Sequence, residues 1–155
     1  MNKLWMRPKG LLAAEQESFA DALQRVDRAA RAVYPGDYRL FAKLWSHADG
    51  ASLFGAFGPA RVGWHELSTG FLWVASRYRD GTAHIDYVVV WEGVDSAYTI
   101  GYERAFVSID GNEAAISTIR ITHVYRREGG RWMLVHRQGD FAPVDESPRP
   151  TDHPG

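Results

Sequence analysis

Three sets of residues in this sequence have the types and spacing that chemistry needs. His47 and Asp49 lie two apart in the loop Ser46-His47-Ala48-Asp49-Gly50, with His65 further along. An imidazole and a carboxylate so placed suit proton transfer, and if the protein turns over a substrate, His47 or Asp49 is the candidate for that step. A metal would need a third ligand, and none stands at a telling spacing; loop capping is the structural alternative. The stretch RITHVYRREGGRWMLVHRQGD, from Arg120 to Asp140, carries two histidines, five arginines and a tryptophan. Within it Arg120, Thr122 and Arg137 suit a carboxylate or phosphate held in a half-dry site. Internal pairing, with Asp49 or Asp86 as partner, is the other use for such arginines, because a buried guanidinium needs a counter-charge. Finally, Trp45, Phe54, Phe57, Trp64, Phe71 and Trp73 supply either a lining for a flat, ring-shaped ligand or ordinary core.

These residues must be positioned by regular elements. Phe19, Leu23, Val26, Ala30 and Val33 recur at helical spacing, which predicts an amphipathic helix over residues 13–33. Tyr34-Pro35-Gly36 stops it, and Asp37 can cap a short helix carrying Leu40, Phe41, Leu44 and Trp45. A short strand over 51–57 follows. GPARVG breaks it, and residues 64–78 return to helical spacing. From there the period is two, predicting strands over 84–91, 97–109, 115–127 and 132–141, with turns at Gly93, Asp110-Gly111-Asn112 and Gly129-Gly130. Helices first and an antiparallel meander afterwards is an α+β pattern, with helices on one face of a curved sheet.

Composition narrows the roles. A chain of 155 residues with 45% hydrophobic and 24% charged residues is one globular domain. A net charge of −1 argues against nucleic-acid binding. The absence of cysteine excludes disulfides and thiolate chemistry and suits a reducing compartment. No apolar run reaches signal-peptide or membrane-spanning length, so the expected setting is soluble and cytoplasmic, with no membrane partner. Residues 1–10 are expected to form a loose arm, 11–143 the domain, and 144–155 a proline-rich disordered tail.

If Gly129-Gly130 is the hairpin loop, Glu128 faces Arg131 and His123 faces His136. One face then carries Ile121, His123, Tyr125, Trp132, Leu134, His136 and Gln138. The other carries Arg120, Thr122, Val124, Met133, Val135, Arg137 and Gly139. Both bear apolar side chains, so both are expected to be covered, one by the helices and one by a second copy of the sheet. The alternation alone leaves open which is which. The histidine pair suits zinc, a pH switch or plain packing.

The segments PGDYRLFAKLWSHAD, SLFGAFG, VGWHEL and RITHVYRREGGRWMLVHRQGD resemble the nuclear transport factor 2-like superfamily, and within it the SnoaL-like and ketosteroid-isomerase-like proteins of unknown function. The resemblance spans Phe19 to Asp140. It implies a cone-shaped, cystatin-like α+β fold with N-terminal helices packed on a curved, mainly antiparallel sheet, and a pocket at one end. It also implies a homodimer through the outer sheet face. The family's strand phase places Arg120, Thr122 and Arg137 in the cavity, with Tyr98, Ile100, Tyr102 and Arg104 on the neighbouring strand, Tyr102 lying near Arg120. It puts His123 and His136 outside, near the dimer seam. The isomerase machinery is absent, because its base falls near Phe54-Gly55, its oxyanion tyrosine near Ala29 and its oxyanion acid near Thr122 or Arg120.

The resulting expectation is a pocket for a polar or acidic organic ligand, contacted by Arg120, Thr122, Arg137, Tyr102, Trp45, Phe54 and Phe57. Cofactor-free proton transfer of isomerase, cyclase or dehydratase type is one use of it, with an arginine stabilising the oxyanion. Non-catalytic binding, or a dimerisation module with a vestigial pocket, is the alternative.

Overall fold

A computed structural model describes residues 15–146. The expected arm at 1–10, and the tail from 147 onward, lie outside the described residues. Helix α1 (Phe19–Val33) begins where the Ser18 hydroxyl accepts the Asp21 amide at 3.1 Å, later than the periodicity suggests. The reason is a competing partner. Glu17 accepts Arg25 at 2.6 Å and the Trp132 amide at 2.9 Å, which ties the entering chain to the far hairpin instead of extending the helix. Tyr34-Pro35-Gly36 ends α1, Gly36 taking φ +108°. Helix α2 (Arg39–Ala42) follows, with Asp37 accepting the Arg39 amide. Strands β1 (Ser52–Phe54) and β2 (Arg61–Val62) precede helix α3 (Trp64–Arg77). Helix α3 passes directly into β3 (Tyr78–Glu92), then β4 (Ser96–Ile109), β5 (Ala115–Glu128) and β6 (Arg131–Phe141).

The six strands lie in the order β2-β1-β6-β5-β4-β3, antiparallel except for β1 beside β6. This is the α+β arrangement expected, with the helices on the inner face of one curved sheet. The buried stripe of α1 (Phe19, Ala22, Val26, Ala29) meets Tyr125, Trp132 and Leu134 there, Phe19 lying edge-on to both aromatic rings. Sheet curvature brings β3 hard against β4 at Gly101, where a Cβ would stand 2.3 Å from the Asp86 carbonyl oxygen. The register also shifts there, between Tyr87 and Val89.

The β5–β6 hairpin has the expected loop, Glu128 facing Arg131, and keeps that register as far as Tyr125 opposite Leu134. Val135 is then a bulge. His136 faces Val124, and His123 faces Arg137 rather than His136. One inserted residue flips every later side chain of β6 to the other face. The inner row of the hairpin is therefore Ile119, Ile121, His123, Tyr125, Trp132, Leu134, Arg137 and Gly139, all buried. On β4 the inner row is Ala97, Thr99, Gly101, Glu103, Ala105 and Val107. No described helix is long and apolar enough to cross a membrane.

Candidate functional site

A pocket opens between α1, α3, the β1–β2 connection and the inner sheet face. Its closed end is formed by side chains that are themselves buried: Tyr34, Tyr78, Glu103 and Arg137. Its walls are apolar, with Val33, Phe41, Phe57, Phe71 and Val74. Exposed lining residues mark the mouth, namely Gly58, Pro59 and Trp73, with half-buried Arg61 beside them. The free volume is about 80 Å³. That accommodates roughly five to eight waters, or roughly 150–240 Å³ of liquid-like volume.

The closed end is one connected polar network. Arg137 grips Glu103 in a fork, Nη2 to Oε1 at 2.8 Å and Nη1 to Oε2 at 3.1 Å. Tyr34 donates its hydroxyl to Glu103 Oε1 at 2.7 Å. Burial alone would push the Glu103 carboxyl up, but the guanidinium and the Tyr34 hydroxyl more than offset it, holding the group below the usual carboxylate range. Burial, reinforced by the Glu103 charge, holds Tyr34 and Tyr78 protonated. The two rings stack at 4.9 Å.

Behind the pair, Arg137 Nη1 lies 2.8 Å from His123 Nε2. A guanidinium only donates, so Nε2 accepts and Nδ1 carries the proton, which it donates to the Tyr125 hydroxyl at 3.2 Å. Tyr125 is then free to donate to Thr99 Oγ1 at 3.4 Å. Burial, with the adjacent Arg137 charge, holds His123 neutral, well below the usual imidazole range.

Several expectations are corrected by the phase of the sheet. Arg137 and Phe57 line the pocket; Arg120, Thr122 and Tyr102 do not. Those three lie on the outer face, where Arg120 pairs with Asp140 and Tyr102 faces Arg120 across the strands. Tyr102 donates to Glu146 at 3.0 Å, so residues 144–146, expected in a disordered tail, form a turn held against the sheet. Tyr98 and Ile100 are exposed on that face too, and Arg104 pairs there with Asp86 at 2.7 Å. Trp45 is fully buried core packed on Phe71, and Phe54 is exposed, edge-on to His136.

His47 and Asp49 are exposed outside the pocket, and the His47 ring stacks on Trp64 at 3.8 Å. His123 is fully buried inside the sheet, away from any seam; His136 is on the outer face, bonded to Ser52 at 2.8 Å. A switch that charges two facing histidines is therefore excluded by geometry. The internal partner of Arg137 is Glu103, neither Asp49 nor Asp86.

Tyr34, Tyr78 and Glu103 at the closed end, and Arg61 at the mouth, are polar pocket residues that the sequence reading missed. Glu103 carries a usable signal. It is the one charge in an alternating row of small and apolar residues from Ala97 to Val107, where an ionised group needs a buried partner.

The SnoaL-like domain family matches residues 22–143. No curated protein matches the chain. Among solved structures, a dehydratase candidate of the nuclear transport factor 2-like family from Streptomyces avermitilis shares 18% identity with TM-score 0.67, over 81% of this chain and 94% of that one. A ketosteroid isomerase-like protein from Erwinia carotovora atroseptica shares 19% with TM-score 0.66, over 82% and 98%. A protein of unknown function with a cystatin-like fold from Nostoc punctiforme shares 16% with TM-score 0.64, over 84% and 96%. Identities this low show a common fold and leave the chemistry to the residues described above. With most of its described length matched, the chain belongs to the SnoaL-like domain family, on the nuclear transport factor 2-like fold.

Proposed function

We propose that the protein binds a small ring-containing organic molecule in the α1–α3 pocket, polar end inward. The observation that carries this reading is the distribution of polarity: apolar walls, with polar side chains gathered at the closed end. Such a layout orients a ligand, apolar contact supplying affinity and a few fixed polar atoms supplying direction. Free volume sets the size at one or two rings, smaller than a steroid. Because Glu103 already neutralises Arg137, the closed end suits a hydroxyl or carbonyl better than an acid. The Tyr78 hydroxyl, on a residue that lines the pocket, is the donor offered to such a group.

Proton transfer without a cofactor is the second reading, favoured by a carboxylate at the pocket's end. Glu103 would be the base, taking the role first assigned to His47 or Asp49. Its lowered pKa makes it a weak one, since an effective base is poised near the working pH, so binding is the better supported function.

A thermal-shift series with single-ring phenols and ketones tests it. A ligand at about a hundred times its dissociation constant stabilises by about 2.7 kcal/mol, or roughly 5–10 °C for a domain of this size. Tyr78→Phe, which deletes one hydroxyl, is expected to weaken that ligand roughly fivefold to tenfold. No shift with any compound would sink the reading.

We also propose a homodimer through the outer sheet face. It is supported by the exposed row Trp91, Tyr98, Ile100 and Phe106, more apolar than a solvated strand face needs to be. Sedimentation at micromolar concentration is expected to show a dimer, and Ile100→Asp a monomer; a monomeric parent protein would refute it.

A further inference from the structure

We propose that Arg61 anchors a carboxylate at the mouth of the pocket, so that the preferred ligand is an aromatic acid bound ring first, acid outward. This rests on the pocket being a ligand site, and it adds the ligand's charge and the residue that reads it.

Three arginines stand at or near this cavity, and two are already spent. Arg137 at the closed end is forked to Glu103. Arg77, beside the mouth, holds Asp110 at 2.6 Å, and its guanidinium lies 4.7 Å from the Trp73 ring. Arg61 differs. Among the described residues no carboxylate oxygen lies within the 4.0 Å of an ion pair, and its one hydrogen bond is a long contact of 3.4 Å to the Glu66 carbonyl. The nearby Glu66 side chain is otherwise engaged, accepting the Val62 amide at 2.9 Å.

The placement of Arg61 is built into the fold. Strand β2 pairs Arg61 with Leu53, a wall residue of the same pocket. The side chain then lies flat across helix α3 at Gly70. A Cβ on Gly70 would stand 2.4 Å from Arg61 Cδ and 2.5 Å from Nε, so glycine there is the seat of the arginine. Its stem covers the helix, the residue as a whole is half-buried, and its guanidinium sits at the exposed rim without a counter-ion among the described residues. A planar fork in that state favours a carboxylate, which it can hold through two parallel hydrogen bonds.

The ligand follows from the two ends. Apolar walls take a ring, the Tyr78 hydroxyl and the Glu103 carboxylate take a hydroxyl or carbonyl on its far side, and Arg61 takes an acid on its near side. The acid specificity expected of Arg120 and Arg137 thus passes to a residue on a two-residue strand.

Calorimetric titration of 4-hydroxyphenylacetate and 4-ethylphenol tests this, because the two differ by a carboxylate in place of a methyl group. The parent protein is expected to prefer the acid roughly tenfold at low salt, a charge-assisted contact discounted for its partial exposure, with the preference shrinking as salt is added. Arg61→Gln is expected to lose that preference, binding the two probes about equally. Equal binding of the two probes by the parent protein, or an acid preference that survives Arg61→Gln, overturns the assignment and leaves the pocket reading standing. Failure of both probes to bind overturns the pocket reading and this inference with it.

Discussion

Arg137→Met is expected to cost about 3–5 kcal/mol of folding free energy, read as a lowered urea midpoint. Against a total of about 5–15 kcal/mol for a typical domain, that brings the protein close to unfolding. The cost comes from what is left behind. Glu103 is 5% exposed, and without the guanidinium its charge has only the Tyr34 hydroxyl. His123 loses the donor on Nε2 at the same time. Replacing both partners should hurt far less. Glu103→Leu with Arg137→Met removes the stranded charge and substitutes apolar volume, and is expected to recover part of the lost stability. What is not recovered should be the two buried groups left without partners, the His123 Nε2 acceptor and the Tyr34 hydroxyl that Glu103 accepted, about 1 kcal/mol or more each. A single mutant costing under about 1 kcal/mol, or a double mutant no better than the single, would contradict the view that the pair is held by mutual need.

The second large effect is a loss of stability in mild acid that starts near pH 6.5 and is traceable to His123. Its pKa is depressed in the folded protein by burial and by Arg137, whereas the unfolded chain titrates near the ordinary value of 6.5. Below that value the unfolded state binds the extra proton, so stability falls as pH falls, by up to about 1.4 kcal/mol per unit from this group. Above pH 6.5 both states are neutral and the contribution is flat. Glu103 acts with the same sign in a lower window. Its folded pKa lies below the ordinary value of 4.5, so its stabilisation is present above 4.5 and is lost as pH falls further. Denaturant midpoints between pH 7.5 and 5 should therefore slope for the parent protein. They should flatten for His123→Gln, whose amide can still accept from Arg137. An unchanged slope in the variant would assign the acid sensitivity elsewhere.

What could be read from the sequence, and what could not, divides along physical lines. Period and punctuation located all four long strands, because alternation and turn glycines are local signals. The expected helix 64–78 ends at Arg77 in the structure, with Tyr78 already extended. The hairpin register was legible from the Gly129-Gly130 loop inward, but only for its first four pairs. Val135 is as good a strand residue as its neighbours, so nothing local marks it as a bulge, and every residue past it lands on the other face. That single insertion is why His136 is outside and Arg137 inside beside His123. Arg120 and Thr122 precede any bulge on their own strand; this chain departs there from the family's phase, and Ile119, Ile121, His123 and Tyr125 take the inner row. The partner of Arg137 was hidden for a different reason. Glu103 is distant in sequence, and only the β4–β5–β6 pairing brings it across from Ile119 and within reach of Arg137. Arg61 gave no sequence signal at all, because its proposed role depends on a glycine nine residues later and on the nearby Glu66 carboxylate accepting the Val62 amide instead of pairing with it.

The most direct test of the account is where a ring-shaped ligand lands. Titrating 4-ethylphenol into isotopically labelled protein and following backbone amide shifts by NMR would locate it. Saturable shifts concentrated at Gly55, Gly58 and Gly70, which line the pocket, are predicted, with Ile100 and Thr122 on the outer face unmoved. Shifts confined to the outer face, or none at millimolar ligand, would contradict the claim that this pocket is the functional site.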